Sequence, residues 1–389
     1  MQRVWRTLRE AIQNIDPVLF ICALSLSVIS IITVSGAVHN FGASKLRMQI
    51  AMFIVGTAVI FLIAYVDFRA IIDKFWLPML IASAALLAIT LVLGSSGENM
   101  ETANRSWLKI PGTGLMIQPS EFVKFTFICT FSKHLFSVRD HINRPLTVLQ
   151  IALHAGLIVG LILLSGDLGV ALVYIAMIAI MLFCAGLHPG YFAGVILLAI
   201  LISPFLWDHL AHYQQMRILV GFNPELDPEH YGWQPLLSRD TIAAGGFFGH
   251  GVGGGSLYEV LTASHTDFIF ATICEKFGFL GGAVVIMIFM VMIVRIFMIA
   301  RNASRSDYGG LICVGVGAVL IVQVVENIGM CLAMLPVVGI TLPFLSCGGS
   351  SMLATFMMFG LLHNVHAHSK GVRDAEQTDT LDLNISLLR

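Results

Sequence analysis

Stretches of about 20 mainly apolar residues recur along nearly the whole chain, and that is the length a helix needs to cross a hydrocarbon layer of roughly 30 Å. They fall near 17–38, 48–67, 75–94, 121–138, 146–165, 168–187, 190–208, 268–298, 310–335 and 347–366 of the 389 residues. The fourth is the most polar, since it holds Lys124, Lys133 and His134. Charge points the same way: 12% of residues are charged, against about 25% in soluble domains. So few charges do not cover a water-facing surface. A hydrophobic share of 57% excludes a disordered chain. Lys+Arg of 22 against Asp+Glu of 23 leaves no basic surplus for nucleic acid. A β-barrel would show short alternating strands instead. The expected fold class is therefore an all-α polytopic membrane protein. It has about ten transmembrane helices and a large outer loop between spans 7 and 8. Residues 1–16 form a cytoplasmic segment, 17–366 the membrane domain and 367–389 a polar cytoplasmic tail, expected to be disordered.

Ten spans place both termini on one side. With the N-terminus inside, 14 of the 22 basic residues fall in cytoplasmic segments, six outside and two within spans. The positive-inside rule then favours cytoplasmic N- and C-termini. Basic residues before the first span and Ser35-Gly36-Ala37 after it resemble a signal peptide. The apolar run is too long for one, so it is expected to stay as an anchor. The seven cysteines lie in or at the ends of spans and lack metal-ligand spacing, as small buried thiols do.

Two outer segments interrupt the apolar pattern, 95–120 and 209–267, and loops this long are often functional. The second contains Arg217, Ser238, Arg239 and a glycine-rich run from Gly245 to Ser256. That run includes Gly246 and spells Gly-x-Gly-x-x-Gly at Gly249, Gly251 and Gly254. It lacks the strand–turn–helix context of a dinucleotide site, so it reads as backbone that bends tightly or approaches a ligand closely. Where the loop re-enters the membrane stands His265-Thr266-Asp267. A carboxylate there is costly unless paired, hydrated or functional, and Asp267 suits either a helix cap or catalysis. Glu121 and Lys124, three apart, share a helix face. They form either a structural pair or, facing a cavity, an anion site. Asp167 in Gly166-Asp167-Leu168-Gly169 suits a cap. Arg105, Lys109, Arg217 and Arg239 are the basic residues of these two outer segments, and Arg matches phosphate oxygens in a two-pronged geometry.

Taken together, these segments resemble one family. They are Arg105-Ser106-Trp107-Leu108, Gln118-Pro119-Ser120-Glu121 with Lys124, Asp167-Leu168-Gly169, Gly245 to Gly249, His265 to Phe270 and Asn327-Ile328-Gly329-Met330. Leu335-Pro336, Gly339, Leu342-Pro343 and Ser346-x-Gly348-Gly349-Ser350-Ser351 complete the set. The chain resembles the SEDS family (shape, elongation, division, sporulation) over roughly residues 15–366. The resemblance implies a ten-span peptidoglycan glycosyltransferase of the bacterial cytoplasmic (inner) membrane. It would polymerise lipid II at the outer face beside a class B penicillin-binding protein that supplies the transpeptidase. Asp267 matches the family's essential loop aspartate, and Glu121 and Lys124 match its span-4 pair. The Asn327–Met330 and Leu335–Gly339 segments look more like the RodA branch than the FtsW or SpoVE branches. Met116, Lys276 and Cys347 depart from residues common there, namely a base, a second carboxylate and a Tyr.

The implied chemistry needs a base for a weakly acidic sugar hydroxyl and cations for a departing lipid diphosphate. Asp267 is the expected base. Lys124 and Arg105, supported by Glu121, Arg217, Arg239 and Ser238, are the expected substrate-binding set. A divalent cation, Mg or Mn, is a further candidate, although no cage is visible in the sequence. The rival readings are a lipid flippase, suggested by Glu275, Lys276, Glu326 and Asn327 within spans, and a non-catalytic scaffold. No internal duplication of the kind many transporters carry is evident.

Overall fold

The computed structural model describes residues 15–95, 105–109, 116–210, 212–303 and 307–387. The side chains of residues 206, 213, 214, 217 and 371–387 lie outside that description. Ten long helices stand where the ten apolar stretches predict them: α1 Pro17–Ser35, α2 Ala43–Tyr65, α3 Phe68–Leu93, α4 Pro119–Ser137, α5 Pro145–Leu164, α6 Leu168–Cys184, α7 Pro189–His209, α8 Ile269–Asn302, α9 Gly309–Cys331 and α10 Gly349–Leu387. α1, α2, α3, α5, α8 and α9 are long and apolar enough by composition alone to cross a membrane, while α6 and the apolar part of α7 are shorter. α10 runs on past residue 367, where the sequence reading ends the membrane domain.

Local chemistry sets the helix starts. Asp16, Asp67 and Asp167 each accept a hydrogen bond from the backbone N–H three residues on, at 3.0–3.1 Å, which satisfies a donor that the first turn leaves free. Pro17, Pro119 and Pro145 open their helices, where a missing N–H costs nothing.

α9 is the axis of the bundle, buried on almost every side and packed against α6, α8, α4 and α10. α10 packs along α2, and α3 lies against α4 and α5. α4 is buried along most of its length, so protein rather than lipid solvates its polar side chains. α7 is the contrast: every residue from Ala193 to Phe205 is exposed, as expected of a helix apolar all round that meets lipid rather than a neighbour. A short antiparallel ladder joins β1 Leu108–Lys109 to β2 Met116–Ile117 in the first outer loop. It is a local addition to the all-α class.

One feature departs from the expected spans. α8 is broken at Gly278 (φ 68°, ψ −166°), leaving a half-helix from Ile269 to Phe277. The glycine-rich loop fills the gap. Phe279 and Leu280 N–H donate to the carbonyls of Gly246 and Phe247 at 2.8 and 3.2 Å, and His250 and Gly251 N–H donate to those of Glu275 and Lys276 at 3.0 and 2.9 Å. Backbone groups freed by the break are thus re-paired within protein, the condition for non-helical chain at membrane depth.

Candidate active site around Asp267

Asp267 sits in the turn that leads from the outer loop into α8. Three successive carbonyls hold this turn. His265 O accepts from Cys347 N–H at 2.9 Å, Thr266 O from Ser346 Oγ at 2.7 Å and Asp267 O from Asn327 Nδ2 at 2.7 Å. Asn327 donates equally to Ile340 O, and Ser346 Oγ accepts from Leu342 N–H at 2.7 Å. Motif residues 60 to 80 positions away in sequence therefore converge on one tripeptide. Pro343 is buried within the same 340–347 segment, which ends at Gly348 and Gly349 where α10 begins. All these donors reach backbone, and the Asp267 carboxylate itself is in contact with the Thr266 side chain.

A second carboxylate acts on this one through its charge. Asp167 caps α6 with one oxygen and accepts from Gln118 Nε2 at 2.9 Å with the other. Gln118 N–H donates to Ser350 Oγ at 3.2 Å, and Tyr174 hydroxyl donates to Ser120 O at 2.8 Å. Gln118, Pro119 and Ser120 thus lock the start of α4 to α6 and α10. Burial, reinforced by the Asp167 charge, pushes the Asp267 carboxyl up to about 6, while contact with the Thr266 side chain offsets part of the shift. As a residue Asp267 is half-buried, with protein packed closely around its carboxyl group. Gly339 borders it: a Cβ there would lie 3.5 Å from Asp267 Oδ2.

The other expected residues divide into those that face out and those that do not. Arg105 and Lys109 are exposed in the first outer loop, where Trp107 pairs with Ser95 through two backbone hydrogen bonds. Arg239 is half exposed, 3.9 Å from Glu225. The Arg217 side chain lies outside the described residues. Lys124 is 1% exposed and donates to Glu121 Oε1 at 2.7 Å. In this geometry the two side chains pair with each other. Ser238 is fully buried and donates to Cys331 O at 2.9 Å, tying the loop helix Trp233–Ala244 to α9. Gly249 (φ 76°) lets the loop cross the α8 break, where a Cβ would come within 2.2 Å of Lys276 O. Gly246 also has positive φ, at 53°. Among the described residues no three His, Cys, Asp or Glu side chains gather into a metal-binding group. Asp167 and Asp267 supply two carboxylates, the number that would hold a Mg ion whose remaining shell is water and substrate phosphate.

The profile of the cell cycle proteins FtsW, RodA and SpoVE matches residues 13–371. The chain belongs to the FtsW/RodA/SpoVE family. Among curated relatives, the probable peptidoglycan glycosyltransferase FtsW of Trichlorobacter lovleyi is 33% identical over 365 residues, covering 91% of this chain and 94% of that one. Stage V sporulation protein E of Bacillus subtilis is 33% identical over 323 residues, 81% and 85% of the two chains. Among solved structures, a chain of a peptidoglycan synthase complex superposes with a TM-score of 0.78 at 28% identity, covering 91% and 98%. The rod shape determining protein RodA of Thermus thermophilus gives 0.66 at 27% identity, covering 90% and 96%.

As an FtsW/RodA/SpoVE member the chain is a multi-pass protein of the bacterial inner membrane. For this family member, sequence reasoning missed the partners that act through backbone or space alone. Tyr174 gives no signal, being an apolar-span tyrosine. Ser350 and Gly339 stand inside quoted motifs, but nothing in their spacing shows contact with Gln118 or Asp267. The break at Gly278 has one signal, the cluster Gly278, Gly281 and Gly282 inside an otherwise apolar run.

Proposed function

We propose that this chain is a peptidoglycan glycosyltransferase that joins lipid II disaccharide units into glycan strands at the outer face of the inner membrane. The observation that carries the reading is a single carboxylate, Asp267. It is raised to about 6, and its backbone is anchored by three separate donors. The names of the relatives support the same reaction. A carboxylate with its pKa near working pH is matched to accept a proton in a transition state.

In this mechanism Asp267 takes the proton of the acceptor sugar 4-hydroxyl as its oxygen attacks the donor anomeric carbon. The bond from that carbon to the lipid diphosphate breaks, and the electron pair leaves with the diphosphate. Single displacement at an α-linked donor gives a β-linked glycan. Arg105 and Arg239, two of the cations that face outward, stabilise the departing charge, with Arg217 in support. Glu121 and Lys124 act from behind, holding α4 so that Gln118 fixes Asp167. The partner is a class B penicillin-binding protein, and both termini face the cytoplasm. Within the family the role is of the RodA type: depletion is expected to round the cells. Filaments with blocked septa would assign a division role instead.

The test is incubation of purified protein, alone and with its partner, with labelled lipid II, beside Asp267→Asn. Long glycan from the wild type and none from the variant is the expected result. Lipid II translocation in proteoliposomes without polymer would favour a flippase, and inactivity in both assays a scaffold.

A further inference from the structure

Two charged residues at the end of the α8 half-helix have no part in the mechanism above. Glu275 and Lys276 are 1% and 0% exposed, and a buried charge persists only where hydrogen bonds satisfy it. Glu275 accepts three backbone N–H groups, from Ser256, Leu257 and Tyr258, each at 2.9 Å. Lys276 Nζ donates to three carbonyls, Val252 at 2.8 Å and Gly36 and Gly254 at 3.3 Å. It also lies 4.1 Å from the centre of the Tyr258 ring, in cation–π range. The ammonium therefore joins three segments: the end of α1, the glycine-rich loop and the half-helix that begins beside Asp267.

From this cage a run of rings leads back to the site. Tyr258 packs edge-on against Phe41 at 5.9 Å, and Phe41 packs on His265 at 5.1 Å. His265 is two residues before Asp267, and its carbonyl is one of the three that fix the turn. We infer that Lys276 is a positioning residue. Its ammonium, caged by the Gly36, Val252 and Gly254 carbonyls and the Tyr258 ring, sets the Asp267 turn through Phe41 and His265. The inference rests on the glycosyltransferase reading for its functional readout. The cage itself does not depend on it.

The chemistry of the cage makes a specific demand. The carbonyls require a cation, not a particular residue, so a small alkylammonium ion should replace the truncated side chain. Lys276→Ala is expected to lower kcat for lipid II by about 10- to 100-fold, since misplacing a reacting group by about 1 Å costs on the order of 100-fold. KM should stay within about threefold, because substrate contacts are untouched. n-Propylammonium chloride should restore kcat in Lys276→Ala, and sodium chloride at equal ionic strength should not. Rescue by one salt and not the other shows that the cage takes an alkylammonium, and a kcat loss at an unchanged thermal midpoint separates positioning from a merely structural role. A variant that keeps more than half the wild-type kcat, or an inactive one that propylammonium does not restore, overturns the inference.

If Lys276→Ala does not fold, Phe41→Ala tests the relay from its middle. A kcat loss of about tenfold or more supports it, and wild-type kcat refutes it. If the wild type makes no polymer, the glycosyltransferase reading has failed rather than the cage. Amide hydrogen exchange over residues 250–258 then decides. Faster exchange in Lys276→Ala, reversed by propylammonium, supports the cage, and unchanged exchange refutes it.

Discussion

Replacing Asp267 by Asn should abolish glycan synthesis and, at the same time, make the protein more stable. The Asp267 carboxyl titrates at about 6 in the fold instead of its ordinary 3.8, mainly through burial and secondarily through the Asp167 charge. At about 1.4 kcal/mol for each tenfold change in an ionisation constant, ionising this group costs the folded state about 3 kcal/mol. The sign follows from linkage. Below pH 3.8 the group is protonated in both folded and unfolded chains, and there is no penalty. As pH rises from about 4 to about 6 the unfolded chain loses its proton first, so stability falls. Above about 6 the full penalty is present. Asn carries no charge, so Asp267→Asn should be more stable than wild type by up to about 3 kcal/mol at pH 8 and equal to it at pH 4. Denaturant unfolding in detergent across that range reads the difference directly. In parallel, the wild-type kcat should rise with pH through an inflection near 6, as a base that must be ionised demands. A variant no more stable than wild type at pH 8 would refute the strained-carboxylate reasoning, and full polymerase activity in the variant would refute the base assignment.

Asn327→Leu leaves the Asp267 and Ile340 carbonyls without their donor. It should lower kcat on the order of 100-fold by freeing the turn, read as glycan yield per unit time. Gly249→Ala places a Cβ 2.2 Å from Lys276 O at a φ of 76°. It should destabilise the fold by about 1–3 kcal/mol or more, seen as a lower midpoint in thermal unfolding. Arg295→Met removes the guanidinium partner of Asp16, which is fully buried and accepts from Arg295 Nε and Nη2 at 2.9 and 2.6 Å, and leaves it the Leu19 N–H and His366 at 3.8 Å. The expected loss is about 3 kcal/mol at neutral pH. Burial alone would raise the Asp16 carboxyl, but the Arg295 hydrogen bonds outweigh it and hold it below its ordinary 3.8. Its stabilisation is therefore present above 3.8 and lost on acidification, so wild type and variant should converge at low pH. A gap that widens there would refute the pairing.

The ten helices were legible because span length and apolarity follow directly from the thickness of a bilayer, and α1 to α10 stand at the ten predicted places. Asp267 was legible as chemistry because a carboxylate at that depth is conspicuous. What surrounds it was legible only as motif. Nothing local in Asn327 or Ser346 announces that it donates to the backbone of a turn 60 to 80 residues away. Such bonds depend on packing between helices, which periodicity does not encode. Lys124 shows the same limit. Its spacing from Glu121 permits pairing, but whether the pair faces a cavity or the interior depends on what covers α4, and the structure covers it almost completely. Ser238 likewise reads as a loop hydroxyl free for substrate and is spent on the Cys331 carbonyl. The break in α8 was hard to read because, apart from Glu275 and Lys276, residues 269–302 keep their apolar character on both sides of Gly278, and the glycine cluster there is the one local signal.

That break bears on inheritance between relatives. The glycine-rich loop supplies hydrogen bonds that α8 lacks on its own, and α8 supplies the carboxylate and ammonium that hold the loop. Neither half is a complete structural unit. A chimera that exchanges the outer loop alone would leave one parent's backbone groups facing the other parent's gap inside the membrane. Recombination that respects the fold must carry residues 245–280 as a single block, and the end of α1 near Gly36 travels with them.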